Sequence, residues 1–229
     1  MSSRKPLRPD ELLGILNESE RHNAPKALYC DGDTRLLQCG PRISVVGTRR
    51  PSEKGVRRVK KLASSIAESD GIVVSGLALG VDAAAHRASI EAGGRTIAVL
   101  GTALDRYATK TNTGLQEQIR KDHLLISQFA HGTSTHKSFF VQRNRTMALI
   151  SDATVICEVG ETSGTFSQAQ EAVRLARPLF FLSSVADDGR HWVMEMLSEG
   201  LADVLTSVTD VLDVVPPPYS HDEPSAIAL

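Results

Sequence analysis

From residue 41 onward, short unbroken apolar runs alternate with stretches in which apolar residues recur every three or four positions. Ile43-Ser44-Val45-Val46 is the first run, and residues 53–69 then place Val56, Val59, Leu62, Ala63, Ile66 and Ala67 at helical spacing. Such spacing marks an amphipathic helix, while a brief β-branched run closed by glycine marks a strand buried on both faces. Ile72-Val73-Val74 and a helix at 81–92 repeat the unit, and Thr96-Ile97-Ala98-Val99-Leu100, ended by Gly101, opens a third. A helix around 115–120 leads to a strand at 124–127. A helix around 143–151, a strand at 153–157, a helix at 165–176 and a strand at 179–182 continue the series, and residues 190–213 read as one or two closing helices. This pattern predicts an α/β fold, a mostly parallel sheet with helices on both faces. Ligands of such sheets bind beyond the carboxyl ends of the strands.

The segments outside the repeat are simpler. Residues 1–25 form a polar lead-in with a small amphipathic patch at Leu12, Leu13, Ile15 and Leu16. Ala27-Leu28-Tyr29-Cys30 and Leu36-Leu37 flank Asp31-Gly32-Asp33, which predicts a short N-terminal hairpin. The main domain then spans 26–213. Residues 214–229, with Pro216-Pro217-Pro218, are expected to be a disordered tail.

Composition narrows the class. A chain of 229 residues, 41% hydrophobic, makes one full-sized domain. No run approaches the ~20 apolar residues of a membrane span, and the first residues hold no secretory h-region. Cys30, Cys39 and Cys157 are odd in number and widely spaced, which disfavours both a disulfide framework and a cysteine zinc site. A cytoplasmic protein without a bound metal is expected. Net charge is −1, yet residues 1–61 hold 14 Lys/Arg against 7 Asp/Glu, and residues 181–229 hold 1 against 9. That gradient sets a basic face against an acidic one.

Four loops carry the candidate chemistry. In Gly47-Thr48-Arg49-Arg50-Pro51-Ser52, Gly47 permits close backbone approach, Ser52 caps the next helix, and the helix start attracts an anion that Arg49 grips in bidentate fashion. Ser75 and the two glycines Gly76 and Gly80 form a second possible phosphate cradle, without the Lys-Ser/Thr of a P-loop. Asp82 and His86 follow on one helical face, a spacing that a local hydrogen bond also explains. Arg143-Asn144-Arg145 places two guanidinium groups at the start of a helix, suited to a phosphodiester backbone. The fourth loop contains Glu158, readable as a structural carboxylate, a general base or a ribose ligand, followed by Ser163, Gly164 and Thr165 as phosphate donors. Trp192 and Phe139-Phe140 read as core, with Phe140 also placed to stack on a base. His131 and His136 match no metal-ligand spacing, and no nucleophile–base set emerges, so no catalytic residue is assigned.

In order, the segments APKALYCDGDTRLLQCGPRISVVGTRRPSEKG, VVSGLALGVDAAAHRASIEAGGRTIAVLGTALDRY, LLISQFAHGTSTHKSFFVQRNR and SGTFSQAQEAVRLARPLFFL resemble the DNA-processing (DprA/Smf) family from about residue 24 to 211. The resemblance implies an extended Rossmann-like fold that binds single-stranded DNA by its phosphate backbone without base readout. It also implies homodimers, a role in DNA uptake and recombination with loading of the RecA recombinase, and no metal or nucleotide cofactor. The phosphate-pocket residues it assigns are Gly47, Thr48, Arg49, Ser52, Ser75, Gly76, Gly80, Arg143, Asn144 and Arg145. The pattern departs from the family where S-G-x-A-R-G-[IV]-D carries Leu79 at the arginine, and where S-E and F-P-x-R-N-R read Ser127-Gln128 and Phe140-Val141-Gln142-Arg143-Asn144-Arg145. Two other readings remain: a nucleotide sensor or LOG-type nucleotide hydrolase of the wider Rossmann-like group, with a role in phage defence, and a protein-binding scaffold. Against the hydrolase, the stretch from Gly160 to Gln168 lacks the double glycine and the glutamate of the P-G-G-x-G-T-x-x-E signature.

Overall fold

Strands that are apolar at every position need a neighbour on both faces, and the architecture follows from that need. The computed structural model describes residues 5–160 and 164–215. The lead-in holds α1 (Pro9–Leu13) and α2 (Glu18–Asn23), followed by β1 (Tyr29–Gly32) and β2 (Arg42–Gly47). Next come α3 (Glu53–Glu68), β3 (Ile72–Ser75), α4 (Val81–Glu91), β4 (Arg95–Leu100), α5 (Thr113–Asp122) and β5 (Leu124–Ser127). The series continues with α6 (Ser138–Ile150), β6 (Ala153–Glu158), α7 (Gly164–Arg174) and β7 (Leu179–Leu182). It closes with α8 (Ser183–Ala186), α9 (His191–Ser198), β8 (Asp203–Leu205) and α10 (Val208–Leu212).

The sheet order is β1-β5-β4-β3-β2-β6-β7-β8. Every pairing is parallel except that of β1 with β5. Successive strands β2 to β5 are laid down in one direction, and the chain then returns to the other side of β2 with β6. That reversal opens a crevice at the carboxyl ends of β2 and β6, where parallel sheets place their ligands. Side chains alternate across the sheet. Ile43, Val45 and Val73 face Val59, Leu62, Ala63 and Ile66 of α3 and Val81, Ala85 and Ala88 of α4. Val46, Ile72, Val74, Ile97 and Val99 face Met147, Ile150, Ala169 and Ala172 of α6 and α7. The buried residues of α3 recur at i, i+3, i+4 and i+7, which is the stripe its sequence predicts.

At the amino ends of the strands the structure is tied down by charge. Arg42 donates from Nε and Nη2 to the two carboxylate oxygens of Asp152, at 3.0 and 2.6 Å, and its backbone N–H adds a third bond to the same group at 2.8 Å. Its Nη1 donates to the Leu37 carbonyl. The lead-in is held as well, since Arg177 donates to the buried Glu20 at 2.5 Å and Leu12 and Leu16 are buried.

Three expectations change. The hairpin does not form, because β1 pairs with β5, Tyr29 opposite Ser127, and Leu36-Leu37 lies in a short 3₁₀ turn at Thr34–Leu37. The apolar side chains Leu28, Leu36 and Leu37 are drawn into the main core, which outweighs the local turn signal. Asp203–Leu205 adds a strand the pattern did not predict. The third change is that α6 begins at Ser138, so Arg143-Asn144-Arg145 occupies its second turn and not its start. The expected tail falls almost wholly outside the described residues.

Candidate nucleic-acid interface

The crevice is built by glycines and by one carboxylate. At the end of β2 the register shifts between Val46 and Gly47, and the Thr48 N–H donates to the Glu158 carbonyl at 2.9 Å. A Cβ on Gly47 would lie 2.6 Å from Val81 and 2.9 Å from the Glu158 carbonyl oxygen, so β2 and β6 approach here only because Gly47 has none. Gly80 adopts φ +80° and passes over the same loop, where a Cβ would meet the Thr48 carbonyl oxygen at 2.4 Å. The Val81 N–H donates to that carbonyl at 3.1 Å. Gly160 leaves room for the Thr48 hydroxyl. Gly47, Thr48, Gly80 and Gly160 are thus brought together.

Ser52 caps α3, its hydroxyl accepting from the Gly55 N–H at 2.9 Å. The anion at this helix start is supplied by the protein itself. Glu158 accepts from the Ser52 N–H at 2.8 Å and from the Ser52 hydroxyl at 3.1 Å. In a capping box the residue at the third helical position returns a carboxylate or amide to the cap N–H. Gly55 holds that position and has no side chain, and Glu158 provides the group from a different strand. A Cβ on Gly55 would lie 1.6 Å from Glu158 Oε2. Glu158 is therefore a structural carboxylate, and the helix dipole that the sequence offers to a phosphate is already neutralised.

The Arg143-Asn144-Arg145 triplet does not converge. Successive helix residues point about 100° apart, so three in a row reach three different neighbours. Arg143 is buried beneath the loop after β3; its Nη1 donates to the Val99 carbonyl at 3.2 Å and lies 4.0 Å from the Asp82 carboxylate. A Cβ on Gly76 would fall 1.2 Å from that nitrogen, so Gly76 is needed to let the guanidinium pass. Burial pushes the Asp82 carboxyl upward while Arg143 opposes the shift. Asn144 reaches the Gly164 carbonyl at 3.3 Å, and Arg145 meets Glu171 at 3.4 Å on the flank of α7. Ser75 spends its hydroxyl on the Val45 carbonyl at 2.7 Å. Among the described residues the buried Thr165 hydroxyl has no partner and a Cβ on Gly164 would meet nothing within 4 Å, and Ser163 lies outside the described residues.

What remains open to solvent is a small cationic and aromatic face. Arg49 and Arg50 are exposed, and the Arg49 guanidinium lies over the Phe140 ring, 5.7 Å from its centroid. Phe140 in turn packs on Gly101, where a Cβ would touch the ring at 2.7 Å. Exposed Lys137 lies one turn before Phe140, whose N–H donates to the Lys137 carbonyl. Leu79, 40% exposed, occupies the second loop. Phe129 and Phe139 stack at 3.9 Å and brace the segment that presents Lys137. Sequence reasoning missed Lys137, Gly55 and Gly101. The glycine three residues after a capping serine was the one signal available for Gly55.

His86 shares no bond with Asp82. Its Nδ1 lies 2.7 Å from the Thr96 hydroxyl, which donates its own proton to the Val73 carbonyl at 2.7 Å. The imidazole therefore donates from Nδ1, and Nε2 has no hydrogen-bond partner of good geometry among the described residues. Burial lowers its pKa from 6.5 to about 3. Among the described residues no group of three or more His, Cys, Asp or Glu is placed to hold a metal, and no helix is long and apolar enough to cross a membrane.

A family model described as DNA recombination-mediator protein A matches residues 10–216. The chain belongs to that family. The DNA processing protein DprA of Streptococcus pneumoniae is 37% identical over 198 residues, covering 85% of this chain and 68% of that protein. The Bacillus subtilis DprA is 31% identical, with 66% of its length covered, so the chain spans about two thirds of these relatives. In three dimensions the S. pneumoniae DprA structure superposes with a TM-score of 0.79 over 93% of this chain and 75% of the other, at 32% identity. A Helicobacter pylori DprA, described for its single-stranded DNA binding mode, gives 0.74 over 93% and 94%, at 28% identity. The DprA-type fold thus extends over 93% of this chain.

Proposed function

We propose that this chain binds single-stranded DNA at the switch-point crevice, gripping the phosphate backbone through Arg49, Arg50 and Lys137 and stacking a base near Phe140. It acts in DNA uptake and recombination by binding and not by catalysis, in the cytoplasm and without a metal or nucleotide cofactor. The observation that carries this reading is the Arg49–Phe140 pair, a cation resting on an aromatic face at the mouth of the crevice. Charge and stacking together are what sequence-tolerant binding of a single strand requires. Membership of the DprA family and the single-strand binding described for the H. pylori relative support it. The engagement of Glu158 with Ser52 gives that carboxylate a role within the fold, which weighs against a nucleotide-hydrolase reading. Gly76, Gly80, Ser75, Arg143, Asn144 and Thr165 act beneath the surface, shaping the loops that present the exposed groups.

Two partners belong to the same proposal, a second copy of the chain and the RecA recombinase. The surface that suits a second copy is the β8 edge, where Val204, Leu201 and Met194 expose apolar side chains beside a strand edge that no described residue pairs. The deciding experiment is a fluorescence-anisotropy titration with labelled oligo-dT and its duplex, at two salt concentrations. Salt-sensitive preference for the single strand supports the reading, and absence of binding at low salt refutes it. Light scattering of the same sample, with and without Val204→Asp, tests the pairing.

A further inference from the structure

We propose that α3 carries a second track for the same DNA strand, outside the crevice, that a strand reaches only when it is long enough to leave the loop site. The inference rests on the proposed single-strand binding. Lys54, Arg57, Arg58 and Lys61 are all exposed, and at 100° per residue they fall within a sector about 100° wide on one side of the helix. From Lys54 to Lys61 the stripe runs about 10 Å along the axis. Arg49 and Arg50 precede the Ser52 cap of the same helix, with Pro51 between, so the crevice cations and the stripe lie on one short stretch of chain. Among the described residues the stripe has one acidic neighbour within ion-pair distance, Glu53 at 3.9 Å from Arg57, itself fully exposed. Four cations held on one rigid helix with so little internal neutralisation are a site for a polyanion.

The stripe ends at a cleft of about 420 Å³. Arg58, Lys61 and Ser65 form one wall, and Leu182, Ser183, Thr206 and Ser207 the other. The far wall is closed to phosphate, because Asp210 already takes the Thr206 and Ser207 N–H groups, each at 2.8 Å, and the Thr206 hydroxyl at 2.7 Å. A negatively charged group on that side pushes a strand towards α3. The occupant is thus the single strand leaving the crevice, and its contacts are to phosphate and carry no sequence preference.

The test compares oligo-dT of about 6 and about 25 nucleotides on the wild-type chain and on Arg58→Ala/Lys61→Ala. For a single strand the log–log salt slope changes by about 0.7 per phosphate contact. The double variant is expected to lose about 1.4 from the slope for the long oligonucleotide and nothing for the short one. A control, Lys26→Ala/Lys121→Ala, removes the same charge at the β1–β5 edge and is expected to leave both slopes unchanged. Equal long-oligonucleotide slopes for wild type and Arg58→Ala/Lys61→Ala, or an equal loss in the control, overturn the track while leaving the crevice site standing. Wild-type protein that binds neither oligonucleotide overturns the proposed function itself, and the track with it.

Discussion

The two ends of the sheet are made from the same strands and solve opposite problems. At the amino end of β2, Arg42 and Asp152 face each other with the donors and acceptors of a bidentate pair matched. At the carboxyl end of the same strand, glycines bring loops within contact, an internal glutamate takes the helix start, and Arg49 is left resting on Phe140 in solvent. One end holds charge inside the fold, and the other turns charge outward. The difference shows that a buried arginine and an exposed one, both near strand ends, do different work. Arg42 and Arg143 organise backbone, whereas Arg49 is free to meet an anion.

That contrast can be broken most severely at Gly80. Its φ of +80° and the backbone atoms of Thr48 and Arg49, 2.4 to 2.7 Å from where a Cβ would sit, leave no room for a methyl group, so Gly80→Ala is expected to cost about 3 kcal/mol or more in urea unfolding. It should also abolish DNA binding, since the loop carrying Arg49 must move. At the other end, Arg42→Ala leaves Asp152 buried without its partner, a loss of about 3 kcal/mol. The protein that remains folded should bind DNA with unchanged affinity.

Acid tests the core between the two ends. The folded-state pKa of His86, about 3, lies below the ordinary 6.5, so the unfolded chain binds one more proton between those values. Stability from this group is complete above pH 6.5 and falls by up to about 1.4 kcal/mol per pH unit below it, or roughly 2.5 kcal/mol by pH 4.5. Asp82, whose carboxyl is raised, works in the opposite sense, adding stability at low pH that is lost as pH rises. The difference between wild type and His86→Gln across that range isolates the imidazole, and parallel curves would contradict its assignment.

The smallest effects on folding should be the most informative on binding. Arg49→Ala, at an exposed position, is expected to change stability by less than about 0.5 kcal/mol while removing about 0.7 from the salt slope for single-stranded DNA. Leu79→Arg returns a cation to the second loop and is expected to raise the slope by a similar amount. An unchanged slope in both variants would move the binding site away from the crevice.

The central fold was legible because its signals were redundant. The strand at 124–127 and the stripe Val59, Leu62, Ala63 and Ile66 were each marked by a period and by bounding residues. The hairpin was misread because Asp31-Gly32 is a local turn signal, while the pairing of β1 with β5 depends on residues nearly 100 positions away. Asp203–Leu205 was missed since three residues carry no period. At the site, the glycine loops were visible and their convergence was not. Arg143 and Arg49 look equivalent in sequence, and only packing separates the one beneath Gly76 from the one above Phe140. The role of Glu158 depends on a contact with Ser52, 106 residues earlier in the chain.

The arrangement of Glu158, Ser52 and Gly55 also constrains what this fold can become. Freeing the α3 terminus for a nucleotide phosphate requires losing Glu158, which leaves the exposed Ser52 N–H and hydroxyl to water or to the incoming anion. Rebuilding an ordinary capping box requires a side chain at Gly55, which collides with the carboxylate already there. The start of α3 is thus fastened to the end of β6 by two side chains of the protein itself, and a change at any one of the three positions is felt at the other two.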